Sequence, residues 1–163
     1  MKCCLWNVHS LNRKLPSIME HVLDHNPDVI FLTETWLQDV KNAITAEVKT
    51  YGYKLLHDPR KDREKERGGG VGIMVRSSIT AKQLPTKHFK SFEHTVVRLS
   101  LANKERMILI SIYRVLFAQI PLFLEELSDL LDKYALSKES FTIAGDLNLQ
   151  SQTALMRNSS LNC

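Results

Sequence analysis

Residues Cys3 to Glu34, CCLWNVHSLNRKLPSIMEHVLDHNPDVIFLTE, decide how the rest of the chain is read. Cys3 to Val8 is a short apolar run closing at Asn7 and Val8, and the polar residues His9 to Lys14 cannot continue a buried strand, which predicts strand, then loop. Leu15, Ile18, Met19, Val22 and Leu23 recur at the spacing of one helical stripe. That helix should stop near Asn26-Pro27, because the residue before a proline avoids helical geometry. Val29 to Leu32 is a continuous apolar run, short and rich in β-branched residues, as expected of a strand buried on both faces. The opening therefore reads β-α-β.

Outward from this unit, the chain of 163 residues is 44% hydrophobic and 25% charged, a globular composition with the length of one domain. No apolar run approaches the roughly 20 residues that cross a bilayer, and the opening lacks a signal-peptide core. The expectation is a soluble intracellular protein, nuclear or cytoplasmic, with no membrane partner. Cys3 and Cys4 are adjacent and Cys163 is the last residue, so no disulfide framework can be drawn and free thiols are expected. The net charge of +4, from 22 basic and 18 acidic residues, is compatible with a polyanionic partner without demanding one.

After a looser stretch around Asn42 to Val48, Tyr53 to His57 and Val71 to Val75 read as strands joined by the charged run Asp58 to Arg67. Thr95, Val97, Leu99 and Leu101 alternate with His94, Val96, Arg98 and Ser100, and Met107 to Tyr113 follows after a turn, which predicts an antiparallel hairpin. Leu122, Leu124, Leu127, Leu130 and Leu131 suggest a second helix to about Tyr134, and Phe141 to Ala144 a last strand before Gly145-Asp146-Leu147-Asn148. The order of elements argues a layered α/β fold. Residues 150–163 are polar and are expected to form a disordered tail.

Three strands end in related polar groups: Asn7 after the first, Glu34 after the second, and Asp146 with Asn148 after the last. Sites in α/β sheets gather at the carboxyl ends of strands, so these four could converge. Taken one at a time, each is an ordinary turn former or helix cap. Their ligand atoms are all oxygens, a set that suits a hard cation such as magnesium working together with substrate phosphates. Phosphoryl chemistry fits this set better than zinc chemistry.

Trp6-Asn7-Val8-His9-Ser10-Leu11, Leu32-Thr33-Glu34-Thr35-Trp36-Leu37, Arg67-Gly68-Gly69-Gly70-Val71-Gly72-Ile73, Ile112-Tyr113-Arg114 and Ala144-Gly145-Asp146-Leu147-Asn148 come in this order. Together they resemble the endonuclease/exonuclease/phosphatase family, in particular the apurinic-endonuclease-like domain of non-LTR retrotransposons. The resemblance implies a two-layer β-sandwich flanked by helices, occupying residues 1–149 as a partial domain incomplete at the C-terminus. It also implies a divalent-metal site at Asn7 and Glu34, with Glu34 the direct ligand and magnesium the metal, manganese being the alternative. Asp146 would orient or deprotonate the attacking water, Asn148 and Tyr113 would contact the phosphate, and Arg114 would join them in binding substrate. The implied activity is magnesium-dependent phosphodiester hydrolysis with DNA as partner.

Two departures from the family pattern stand in the sequence. Val115 follows Arg114 where the family continues into proline, and Leu149 to Cys163 holds neither the histidine nor the aspartate of the family's closing Ser-Asp-His block. Losing such a unit removes orders of magnitude of rate. The alternative is therefore a catalytically inactive, retroelement-derived fragment with residual metal or nucleic-acid binding, and an exposed sheet edge is expected to favour self-association. Gly68 to Gly72 leads into a strand rather than a helix and lacks the following Lys-Ser/Thr of a phosphate loop. His21 and His25 lack the zincin glutamate and are read as solvated, while His57 and His94 are read as structural.

Overall fold

A computed structural model describes residues 1–38, 43–58, 68–102, 105–137 and 139–149. Its elements are β1 (Cys3–Asn7), α1 (Leu11–His25), β2 (Val29–Thr33), α2 (Ala43–Thr50), β3 (Tyr53–Asp58), β4 (Val71–Arg76), β5 (Thr80–Gln83), β6 (Phe92–Ser100), β7 (Arg106–Arg114), α3 (Ile120–Ala135) and β8 (Ser140–Asp146). They form two four-stranded sheets, ordered β1-β2-β4-β3 and β5-β6-β7-β8. β1 runs parallel to β2 and β8 parallel to β7, while every other pairing is antiparallel.

Side chains alternate across a strand, and this parity builds three apolar layers. Val29 and Phe31 of β2 with Ile73 and Val75 of β4 meet Val97 and Leu99 of β6 and Leu109 of β7 between the sheets. The opposite faces are covered from outside. Ile30, Leu32 and Met74 pack under Leu15, Ile18, Met19 and Val22 of α1. Val96, Ile108, Ile110 and Ile112 pack under Phe123, Leu130 and Tyr134 of α3. β2 is buried along its whole length, as its unbroken apolar run predicts. The architecture is thus an α/β sandwich of two sheets flanked by helices.

Several elements differ from the sequence reading. α1 begins at Leu11, and its stripe adds Leu11 but not Leu23, which helical geometry turns about 80° from Leu15. α3 buries Phe123, Leu130 and Tyr134, and Leu124 faces solvent, because the larger aromatic surfaces take the sheet face. α2 and β5 have no clear counterpart in the sequence pattern. Each is short, and β5 alternates exposed and half-buried residues. The run 59–67 and the tail 150–163 lie outside the described residues.

Gly145 fixes how β8 joins the second sheet. A β-carbon there would stand 1.8 Å from the carbonyl oxygen of Ile112 on β7. Among the described residues β1 and β8 are paired on one side only, and Leu5 of β1 is 48% exposed. No described helix is long and apolar enough to cross a membrane.

Replacing Gly145 with alanine forces β8 away from β7. It is expected to lower stability by about 3 kcal/mol, read as a lower urea midpoint with unchanged slope. His94 lies among Phe89 and Phe92, and burial, reinforced by Lys133 and His88, lowers its pKa to about 4. The unfolded chain takes up a proton below the ordinary value near 6.5, which the folded imidazole refuses until about pH 4. Stability is therefore expected to fall by about 3 kcal/mol as pH drops through that window, and the fall should be flattened in His94→Leu.

Candidate active site at the end of the sandwich

The inner-face residues at one end of the two sheets form two facing rows. Asn7, Thr33, Val71 and Asp58 stand in register across the first sheet, and Glu93, Tyr113 and Asp146 across the second. Because Asn7 and Asp146 end the outermost strands of their sheets, parity turns both side chains into the gap. The amide nitrogen Nδ2 of Asn7 donates to Oε1 of Glu34 at 2.9 Å and to Oδ2 of Asp146 at 3.1 Å. Residues 139 positions apart thereby share one small group.

Glu34 is set by the loop that follows β2. Val8 and Ser10 donate their N–H groups to the carbonyls of Thr33 and Glu34, and Leu11 donates to Thr35. On the other side, Thr35 and Trp36 donate to the carbonyls of Gly70 and Gly69. Glu34 and Trp36 are held at positive φ, as are His9, Ser10 and Asn148 in the neighbouring loops. Such conformations cost of order 1–3 kcal/mol each and cluster where a surrounding network over-determines them. Gly70, at φ +84°, leaves no room for a side chain, since a β-carbon would meet Oγ1 of Thr35 at 2.6 Å. The glycine run therefore serves as a close-packed floor under the Glu34 loop.

Asp146 is fixed from two sides, accepting from Asn7 through Oδ2 and from the N–H of Asn148 through Oδ1 at 3.1 Å. Asn148 donates Nδ2 to the carbonyl of Arg114, and Arg114 returns Nη1 to the carbonyl of Asn148, each at 2.8 Å. The Arg114 guanidinium also donates to Ala118 and lies over the Phe123 ring, leaving the residue 6% exposed. Its observed role is to hold the loop after β8. Tyr113 is buried beside Asp146 in the sheet register.

Two residues that sequence reasoning passed over belong to this arrangement. Nδ1 of His9 stands 2.6 Å from Oε2 of Glu34, so both oxygens of that carboxylate are contacted by residues at the end of β1. Glu93, on the inner face of β6, accepts the N–H of Gly70. His9 lies inside the Trp6 to Leu11 block but is given no role there, and Glu93 meets Gly70 only through the stacking of the sheets.

The donor set fits a divalent cation. Two carboxylates lie within reach of one amide, and Oδ1 of that amide is buried without a hydrogen-bond partner. Turning the Asn7 amide end for end gives up its two Nδ2 hydrogen bonds to Glu34 and Asp146 and presents in their place Oδ1, which has no partner to lose. Among the described residues no three His, Cys, Asp or Glu side chains surround a common point. A cation here would therefore need the Asn7 oxygen and would keep water or substrate oxygens in its remaining positions, as magnesium does.

Glu93→Ala leaves the buried N–H of Gly70 without its acceptor and is expected to cost about 2 kcal/mol in urea denaturation. Glu93→Gln keeps an oxygen in place and should recover more than half of that loss.

Comparison with known proteins follows the same lines. Over residues 4–160 the chain matches the family profile described as Endonuclease/Exonuclease/phosphatase family. No curated protein matches it significantly. Among solved structures, an AP endonuclease from Archaeoglobus fulgidus is similar at 18% identity and a TM-score of 0.67, covering 95% of this chain and 63% of its own. The endonuclease domain of TRAS1, a telomere-specific non-LTR retrotransposon, is similar at 15% identity and a TM-score of 0.65, with 91% of this chain and 60% of that one covered. The 3'-5' exonuclease NExo from Neisseria meningitidis is similar at 24% identity and a TM-score of 0.63, covering 91% and 58%. This chain thus spans about 60% of the length of these three structures. With the profile matched over nearly its whole length, and the family's sheet sandwich beneath it, the chain belongs to the endonuclease/exonuclease/phosphatase family.

Proposed function

We propose that the chain is a divalent-cation-dependent phosphodiesterase domain of the retroelement endonuclease type, with DNA as its substrate. The observation that carries this reading is the single amide of Asn7 bridging the carboxylates of Glu34 and Asp146. Glu34 and Asn7 would hold the cation, magnesium by the hardness of the oxygen donors, with manganese as the alternative. Bound there, the cation supplies polarisation of a phosphoryl oxygen.

Asp146 is the group suited to water activation. Its two oxygens are tied by Asn7 and Asn148, which fixes the carboxylate's direction while leaving lone pairs for a water proton. Tyr113, adjacent in register, is assigned to the scissile phosphate, and Asn148 to a phosphate oxygen once its side chain leaves the Arg114 carbonyl. Arg114 is assigned to holding this loop. The retrotransposon endonuclease and NExo structures support a nucleic-acid substrate by likeness of fold.

A second reading, cation and nucleic-acid binding without turnover, is favoured by the one-sided pairing of β1 and β8 among the described residues. Unpaired sheet edges invite a further strand, and the same edges are where a second copy of the chain would add.

The test is nicking of supercoiled plasmid with and without magnesium. Wild type is expected to nick only with the cation, and Glu34→Ala and Asp146→Ala each to lose at least about a hundredfold in rate. Nicking that survives both substitutions would remove this site from consideration. Magnesium or manganese binding without nicking in the wild type would establish the second reading.

A further inference from the structure

We infer that Phe117, at the tip of the turn between β7 and α3, is a base-stacking residue: its ring takes an unstacked nucleobase of the bound strand, so that DNA with an unpaired base beside the scissile phosphate is preferred to regular duplex. This deepens the DNA-phosphodiesterase reading above and rests on it. Phe117 is 97% exposed, whereas an aromatic ring of its size is ordinarily buried. Leu116 and Ile120 on either side are about half as exposed, so the ring projects alone beyond the turn. Its backbone is also unusual. The N–H of Ala118 donates to the carbonyl of Val115 at 3.1 Å, closing a turn in which Phe117 stands third with φ at 69°. Turns that need positive φ at that position ordinarily take glycine, because a side chain there is strained.

The turn is held by the same groups that hold the site. Val115 donates its N–H to the carbonyl of Ser91. The Arg114 guanidinium donates through Nη2 to the carbonyl of Ala118 and through Nη1 to that of Asn148, the latter at 2.8 Å. The turn carrying Phe117 and the loop carrying Asn148 are thus fastened to one planar group, and Phe117 follows Tyr113 along the chain by a single turn. A strand whose phosphate lies at Tyr113 and Asp146 passes its neighbouring bases over this tip. No acidic residue lies between Arg106 and Leu124, so nothing in the segment repels the flanking phosphates. An aromatic face held rigid beside a phosphate site accepts any base, since every base has a π face, provided that the base has left its helical stack. Strained backbone maintained by a surrounding network is found where a side chain must be presented in one direction, which is the requirement of a stacking platform.

The experiment uses the full chain and two labelled DNA duplexes, one fully paired and one with a single unpaired base, with binding read by fluorescence anisotropy in calcium rather than magnesium and strand integrity checked on a gel. Wild type is expected to bind the duplex with the unpaired base about tenfold more tightly than the paired one. Phe117→Gly should bring that ratio close to one, and Phe117→Trp should keep it. Because glycine accepts positive φ and no buried surface is lost, Phe117→Gly should also raise the urea midpoint, whereas loss of a ring that serves only packing would lower it. Equal binding of both duplexes by wild type, an unchanged ratio in Phe117→Gly, a lowered midpoint, or a wild-type dimer in sedimentation that Phe117→Gly abolishes would overturn the role of Phe117 alone. Absent binding to either duplex would overturn the DNA reading itself and this inference with it.

Discussion

The backbone hydrogen bonds on either side of Thr33 to Trp36 are the constraint on which the site depends. This segment leaves the most deeply buried strand and is clamped between the β1–α1 loop and the glycine run, five N–H groups being satisfied across the two seams. A backbone so tied can hold Glu34 and Trp36 at positive φ, a conformation that a free loop would relax. The clamp extends further in both directions. Glu93 secures Gly70 from the second sheet, and the Glu34 carboxylate reaches Asn7 and His9 at the end of β1. Stability and chemistry are thus coupled, because the groups that hold the loop also aim its carboxylate.

Strand parity supplies the other half of the arrangement. In each sheet the residues that build the inter-sheet layer alternate with those packed under helices, so an inner-face residue at a strand end points into the gap between the sheets. Asn7 and Asp146 occupy that position in the first and last described strands. Gly145 lets β8 lie close enough to β7 for Asp146 to stand beside Tyr113, and the paired hydrogen bonds between Arg114 and Asn148 keep the following loop folded back on the sheet. Membership of the endonuclease/exonuclease/phosphatase family is consistent with this geometry, in which oxygen donors from distant strands meet at one end of a sandwich.

The β1-α1-β2 unit was legible because its periodicities are local: a helical stripe stopped by Asn26-Pro27, then an apolar run long enough to be buried on both faces. α3 was legible as a helix but not in its facing, since five leucines compete with Phe123 and Tyr134 and only the sheet beneath selects among them. β5 and α2 were not legible, being short and weakly patterned. Of the residues singled out in the sequence, the structure brings Asn7, Glu34 and Asp146 into one hydrogen-bonded group. It places Asn148 and Arg114 behind them, bonded to each other.

By itself, the sequence determined which residues end strands, which runs are buried, and that the polar groups at three strand ends carry oxygen donors. Those properties follow from side-chain chemistry and from periods of two and 3.6 residues, which act within a few positions along the chain. Only the tertiary structure decided that His9 faces Glu34 across 25 residues, that Glu93 secures Gly70 across 23, and that Arg114 is occupied inside the fold. Each of these contacts is made where two sheets or two loops are stacked, and the geometry of stacking is a property of the whole core that no local pattern records.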